Sequence, residues 1–234
     1  GGHIHYNRRY RQEIMSYFDN SGRGGFLANM TPAVRNLLII NVIFFIASQI
    51  IGDTAYEKFA LFSFGSPFFR PYQLVSHMFM HGGFWHIFFN MYSLVLFGTA
   101  LENIWGSRKF LIFFFVTGIG AALCHNLVMH LQIINNPANA ALLMRIPTVG
   151  ASGAIYGLLL GFAMLFPEAE FRLFIFPFFP LKAKWMAVIF CIIELLTGLN
   201  GGDNIAHFAH LGGMLFGLLL ILYWKRNNKM YNYD

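Results

Sequence analysis

A short set of polar side chains stands in this chain where hydrocarbon residues dominate, and some of them could do chemistry. Ser152 lies in Gly150-Ala151-Ser152-Gly153, with Tyr156 one turn further on. Glycines on both sides let another backbone or a substrate approach the hydroxyl, and a position near a helix start gathers free backbone N–H groups. That setting suits a nucleophile with oxyanion-stabilising donors. It equally suits a packing surface, because Gly153, Gly157 and Gly161 form a stripe at spacing four. Both uses are compatible. His210, in Ala209-His210-Leu211-Gly212-Gly213, stands at offsets zero, three and seven from Gly213 and Gly217, on the face of a glycine groove. If the two glycine surfaces pack together, Ser152 meets His210. A neutral imidazole within hydrogen-bond reach is the base that a serine hydroxyl needs.

A carboxylate commonly orients such an imidazole. Asp203 is on roughly the right face but seven residues before His210, about 10 Å along a helix axis, so a Ser-His dyad is expected. His86 and Asn90, four apart, stack on one helical face. Taken alone, that pair reads best as an interhelical hydrogen-bonding pair. Zinc proteolysis would want His-Glu-x-x-His, and His77 to His81 has Met78 in the Glu position. An aspartyl mechanism needs two facing carboxylates within the spans, and no Asp lies inside one, Asp203 standing just before the sixth. The soluble-hydrolase elbow fails because Ala154 stands where its last Gly belongs. His125 and His130 are expected to be loop or interfacial groups. No metal and no cofactor is called for.

These groups need scaffolding, and composition says of what kind. With 57% hydrophobic and 11% charged residues, and 28 Phe among 234 residues, too little polar surface exists to cover a soluble globule. Disorder is excluded by the same arithmetic, and two Cys make no disulfide framework. Six apolar stretches approach the length of a membrane-crossing helix: Val34 to Ile51, Leu74 to Leu101, Phe110 to Ile134, Val149 to Phe166, Trp185 to Leu199 and Ile205 to Trp224. The expected fold class is therefore an all-α integral membrane protein of six transmembrane helices. Residues 1–32 form a basic cytoplasmic segment, 33–225 the membrane domain and 226–234 a cytoplasmic tail. Thirteen of the 16 Lys and Arg fall on one side, which places both termini in the cytoplasm. The net charge of +6 then serves contact with anionic lipid headgroups, and no nucleic acid is expected. The first residues are polar and the first apolar run begins near Val34, so no cleavable signal is expected there. Gly1 in place of Met suggests trimming.

In this order across a six-span chain, His86-x-x-x-Asn90, Gly150-Ala151-Ser152-Gly153 with Tyr156, and Ala209-His210-x-x-Gly213-x-x-x-Gly217 resemble the rhomboid family of intramembrane serine proteases. Gly98-x-x-x-Glu102-x-x-x-Gly106 resembles a further signature of that family. The likeness runs from about Leu37 to Trp224. It implies a rhomboid-type bundle in which Ser152 is the nucleophile and His210 the general base. His86, Asn90 and the Ser152 N–H would form the oxyanion hole, and Tyr156 would pack on His210. Glu102 would be structural, with Arg70 as its partner, and the loop bearing Arg70 would lie partly in the outer leaflet. Many members have Trp before that Arg, where this chain has Phe69. His81 would shape a water-filled cavity or make a polar contact. Expected partners are transmembrane protein substrates and membrane lipids, in a bacterial inner membrane. The sequence leaves oligomeric state and natural substrate open. Two rivals differ in class: a catalytically silent rhomboid-like binder, which would lack the nucleophile or base, and a six-span transporter, which would show internal repeats.

Overall fold

The computed structural model describes residues 30–173, 176–199 and 204–230, with only the backbone described for 171–173, 176–179 and 204–205. Most of the expected basic N-terminal segment, and Asp203, lie outside the described residues. The helices are α1 (Pro32–Ile51), α2 (Asp53–Phe59), α3 (Phe84–Ser93), α4 (Thr99–Asn135), α5 (Ser152–Leu165), α6 (Ala183–Leu199) and α7 (Asn204–Arg226). An antiparallel hairpin, β1 (Glu170–Leu173) with β2 (Phe176–Lys182), joins α5 to α6.

Among the described residues, three helical stretches are long and apolar enough to cross a membrane: Pro32–Ile51, Phe84–Asn135 and Ala206–Arg226. The expected tally of six separate spans differs from this for two reasons. First, the middle stretch runs for 52 residues through α3, a widened turn at Leu94–Gly98, and α4. It is bent, because Gly106 adopts φ 73° and ψ 161°, a backbone state that favours glycine. Second, α5 has only 14 residues and α6 only 17, short of the roughly 20 that a straight crossing needs. The second apolar stretch also starts later than expected. Residues 73–79 form a helical turn and a 3-10 turn that end on extended backbone at Met80, so the helix proper begins at Phe84.

The hairpin occupies the Pro-bearing connection between α5 and α6. Pro177 and Pro180 are tolerated because in a two-stranded ribbon each strand keeps one free edge. At its base Glu168 accepts hydrogen bonds from Lys182, at 2.8 Å, and from Lys184. Those two ammonium groups hold its carboxyl down at about 2.

Ile43, Ile46 and Ile50 of α1, and Ile192, Ile193 and Leu196 of α6, are exposed, so these helices turn apolar faces outward. Burying such faces in lipid is the favourable alternative to wetting them. Inside, Trp105, Phe113 and Trp224 form an aromatic cluster where α4 meets α7, with ring centroids 4.9 and 5.3 Å apart about Trp105.

The spacing Gly98-x-x-x-Glu102-x-x-x-Gly106 receives a physical account. Gly98 lets α1 come close, since a Cβ there would stand 2.9 Å from Val34 Cγ2. Glu102, 3% exposed, accepts hydrogen bonds from the backbone N–H groups of Ala33 and Val34 at 2.8 and 2.9 Å. The Ser107 hydroxyl, at 2.5 Å, donates to the same carboxylate just past the Gly106 bend. A negative side chain thus terminates α1 at the end where N–H groups lack acceptors. Arg70 is not its partner. The Arg70 guanidinium bonds the carbonyls of Pro67 and Phe69 at 3.0 and 2.7 Å, tying down its own loop. Glu102→Ala is expected to destabilise the fold by about 2–4 kcal/mol, because buried N–H groups lose a charged acceptor. Thermal unfolding in detergent checks this, with Glu102→Gln falling between the two.

Candidate functional site

The site lies where α5 crosses α7 at their glycine faces. A Cβ added to Gly213 would overlap the Gly153 carbonyl, and one on Gly217 would stand 3.5 Å from the Gly157 Cα. α4 closes against the same stripe, through Ala121 facing Gly153 and Thr117 facing Gly157. This contact brings Ser152, the first residue of α5, to His210 in the N-terminal half of α7. The Nε2 atom of His210 lies 2.8 Å from the Oγ atom of Ser152. Substituting Gly213 with Ala is expected to push α7 off α5 and cost about 1–3 kcal/mol, as overpacking does. Any activity carried by the Ser152–His210 contact falls with it. Melting temperature and turnover of Gly213→Ala, beside the exposed-site control Leu215→Ala, test this.

Tyr156 stacks on the His210 ring, with centroids 4.3 Å apart and planes 7° from parallel. Its hydroxyl donates to Glu194 Oε1. The other carboxylate oxygen, Oε2, lies 2.6 Å from His207 Nδ1 and 3.1 Å from His210 Nδ1. Glu194 is therefore the acidic neighbour of the imidazole that the sequence did not reveal. It comes from α6 rather than from the helix of His210, so no spacing within one element announces it. Its one sequence signal is that of a lone acid in an apolar helix. The His210 Nδ1 atom is buried and makes no aligned hydrogen bond, the carboxylate being off its donor direction.

Facing Ser152 from the other side, the Gly82 N–H donates to His86 Nδ1 at 3.3 Å. In a neutral ring this leaves the proton on Nε2. That atom faces Gly150, where a Cβ would stand 2.7 Å away and 3.7 Å from Ser152 Oγ. Gly150 is doubly required, since its φ is also 122°. Asn90 is 6% exposed, and its buried Nδ2 has no hydrogen-bond partner among the described residues. His81 is fully buried with its ring 5.1 Å from that of His86. Behind Ser152 lies a cavity of about 40 Å³ whose polar lining comes from His77, His125, Thr148, Ser152 and His210. That is room for a water molecule or so. His125 is thus no interfacial group: it is 3% exposed and its Nε2 lies 2.8 Å from Thr148 Oγ1.

The rhomboid domain family profile matches residues 69–227, and the chain belongs to the rhomboid family. α1 lies outside the matched range. Rhomboid protein 1, mitochondrial, of Saccharomyces cerevisiae is 34% identical over 62% of this chain and 40% of its own length. Rhomboid-like protein 19 of Arabidopsis thaliana is 25% identical over 85% of this chain and 62% of its own. The human presenilin-associated rhomboid-like protein, mitochondrial, is 24% identical over 94% and 55% respectively. The chain thus spans 40% to 62% of these relatives. Family and candidate spans together make this a membrane protein. The expectation of a bacterial inner membrane draws no support from them, since two of the three are named as mitochondrial.

Proposed function

We propose that this chain is an intramembrane serine endopeptidase that cleaves protein substrates in or near a membrane-spanning helix. The observation that carries the reading is the 2.8 Å contact between His210 Nε2 and Ser152 Oγ within a family-matched membrane bundle. His210 takes the Ser152 proton as the hydroxyl attacks the scissile carbonyl, then returns it to the leaving amine. Glu194 and Tyr156 hold the ring from its far side, so the site works as a dyad with an acidic support. The oxyanion that forms is met by His86 Nε2–H, the Asn90 amide and the N–H of Ser152, which as first residue of α5 has no intrahelical acceptor. Gly150, Gly153 and Gly213 supply the close approaches.

The bend at Gly106 divides the long helical stretch into two crossings, and with α1, α5, α6 and α7 this makes six. Both termini then share the side rich in Lys and Arg. α5 is about 21 Å long against a hydrocarbon core of about 30 Å. If its end at Leu165 reaches the basic side, Ser152 sits below the opposite surface, and water arrives through the cavity lined by polar side chains. A substrate helix must unwind to bare its carbonyls, which favours substrates with Gly, Pro or small residues near the cut. Entry is sideways, between α6 and α3, whose outer faces carry exposed Ile192, Phe88 and Phe89. The test is labelling by a serine-directed phosphonate and cleavage of a transmembrane reporter, each compared with Ser152→Ala. A reporter bound but never cut by the unsubstituted chain supports a silent binder instead.

A further inference from the structure

Two imidazoles and one carboxylate converge beside the nucleophile. Glu194, His207 and His210 each present a ligand atom, and these atoms all lie within 4.8 Å of one another. The set is two nitrogens and one oxygen, which suits Zn²⁺ and leaves a fourth position for water. Mg²⁺ and Ca²⁺ prefer shells made wholly of oxygen. Two further observations point the same way. Both Nδ1 atoms lie close to a single oxygen, Glu194 Oε2, at 2.6 and 3.1 Å, while Oε1 is taken by the Tyr156 hydroxyl. And the buried His210 Nδ1 is left without an aligned hydrogen bond. A cation among the three would be held by Glu194 Oε2 and both Nδ1 atoms at once and would give the His210 Nδ1 lone pair a partner.

From this geometry we infer that Glu194, His207 and His210 form a Zn²⁺ site that switches the enzyme off, an inference that rests on the protease reading for its effect but not for its existence. At ordinary Zn–N and Zn–O lengths, neighbouring ligands in a tetrahedral shell stand about 3.3 Å apart. The 2.6 and 3.1 Å contacts to Oε2 therefore open by less than an ångström to admit the ion. Zn²⁺ takes the lone pair of each Nδ1, so a proton held there on a neutral ring moves to that ring's Nε2, and no oxidation state changes. The consequence of binding follows from the tautomer. A neutral imidazole bound to metal through Nδ1 carries its proton on Nε2. His210 Nε2 then donates to Ser152 Oγ instead of accepting from it, and the hydroxyl proton has no taker. The same wrong-tautomer fault lowers kcat by about 10⁴ in soluble serine proteases.

The binding test uses the full chain carrying Ser152→Ala, purified in detergent, so that no activity is needed. Co²⁺ titration should give the visible absorption of a tetrahedral site, removed by one equivalent of Zn²⁺. His207→Ala and the isosteric Glu194→Gln should each abolish it. No such absorption, or absorption that survives both substitutions, overturns the proposal, and the second result places the metal elsewhere in the chain. In the Ser152 form, Zn²⁺ should inhibit reporter cleavage, chelator should reverse it, and Mg²⁺ should have no effect. The half-inhibiting Zn²⁺ concentration should rise at least about tenfold in His207→Ala, each variant being measured against its own metal-free rate. An unchanged concentration refutes inhibition through this site. A chain that never cleaves the reporter, metal-free, refutes the protease reading and leaves the Co²⁺ result to decide the metal.

Discussion

Ser152→Ala is expected to remove reporter cleavage and phosphonate labelling together while leaving the bundle folded. In a serine protease the nucleophile and its base act as a unit, and losing either costs roughly 10⁴ to 10⁶ in kcat. The structural loss is small by comparison. Ser152 is half-buried at the start of α5, and its hydroxyl gives up one hydrogen bond, to His210 Nε2 at 2.8 Å, worth about 1 kcal/mol. His210→Ala should be equally inactive but less stable, because the ring also stacks on Tyr156 at 4.3 Å and neighbours Glu194. The double variant should be no slower than either single one. Turnover by Ser152→Ala within tenfold of the unsubstituted chain would dismiss the nucleophile assignment. Equal losses in Ser152→Ala and in a second half-buried serine or threonine would point to misfolding.

The sequence made the meeting of Ser152 with His210 legible because the information was local. Helical periodicity put His210 on the face of its glycine stripe, and Ser152 stood immediately beside its own. Glu102 and Glu194 were harder for opposite reasons. For Glu102 the family resemblance implied a charged partner, Arg70. Its true partners are backbone N–H groups at the start of α1, which every helix has and no residue type advertises. For Glu194, the acid near His210 in sequence and on roughly the right face is Asp203, seven residues away and too far to reach the ring. The carboxylate arrives instead from α6, through a packing of three helices that spacing within one segment does not encode. Helix lengths went astray similarly. Hydropathy ran on through Leu74 to Phe84, although the backbone there is turns and extended chain pinned by the Gly150 N–H to the His77 carbonyl at 2.9 Å.

Asn90→Ala is expected to separate catalysis from folding. Its Nδ2 is buried and lacks a hydrogen-bond partner among the described residues, so the resting fold gains little from it. A buried donor without an acceptor is, if anything, a cost to the folded chain. On the protease reading it becomes useful once a negative oxygen forms beside Ser152, where a donor of this kind is worth about 3 kcal/mol in the transition state, or roughly 10² to 10³ in kcat. KM should stay within a few-fold, because the ground-state carbonyl draws less on the amide than the oxyanion does. His86→Phe should show the same split, keeping the ring's bulk against Gly150 and His81 while losing the Nε2 donor. The competing reading makes Asn90 a fastener between helices, and it predicts the reverse: a melting temperature several degrees lower with turnover per folded molecule unchanged. Measuring kcat, KM and the unfolding midpoint on the same preparation decides between them. The two readings place the same amide's interaction in different states, one in the folded ground state and the other only in the transition state.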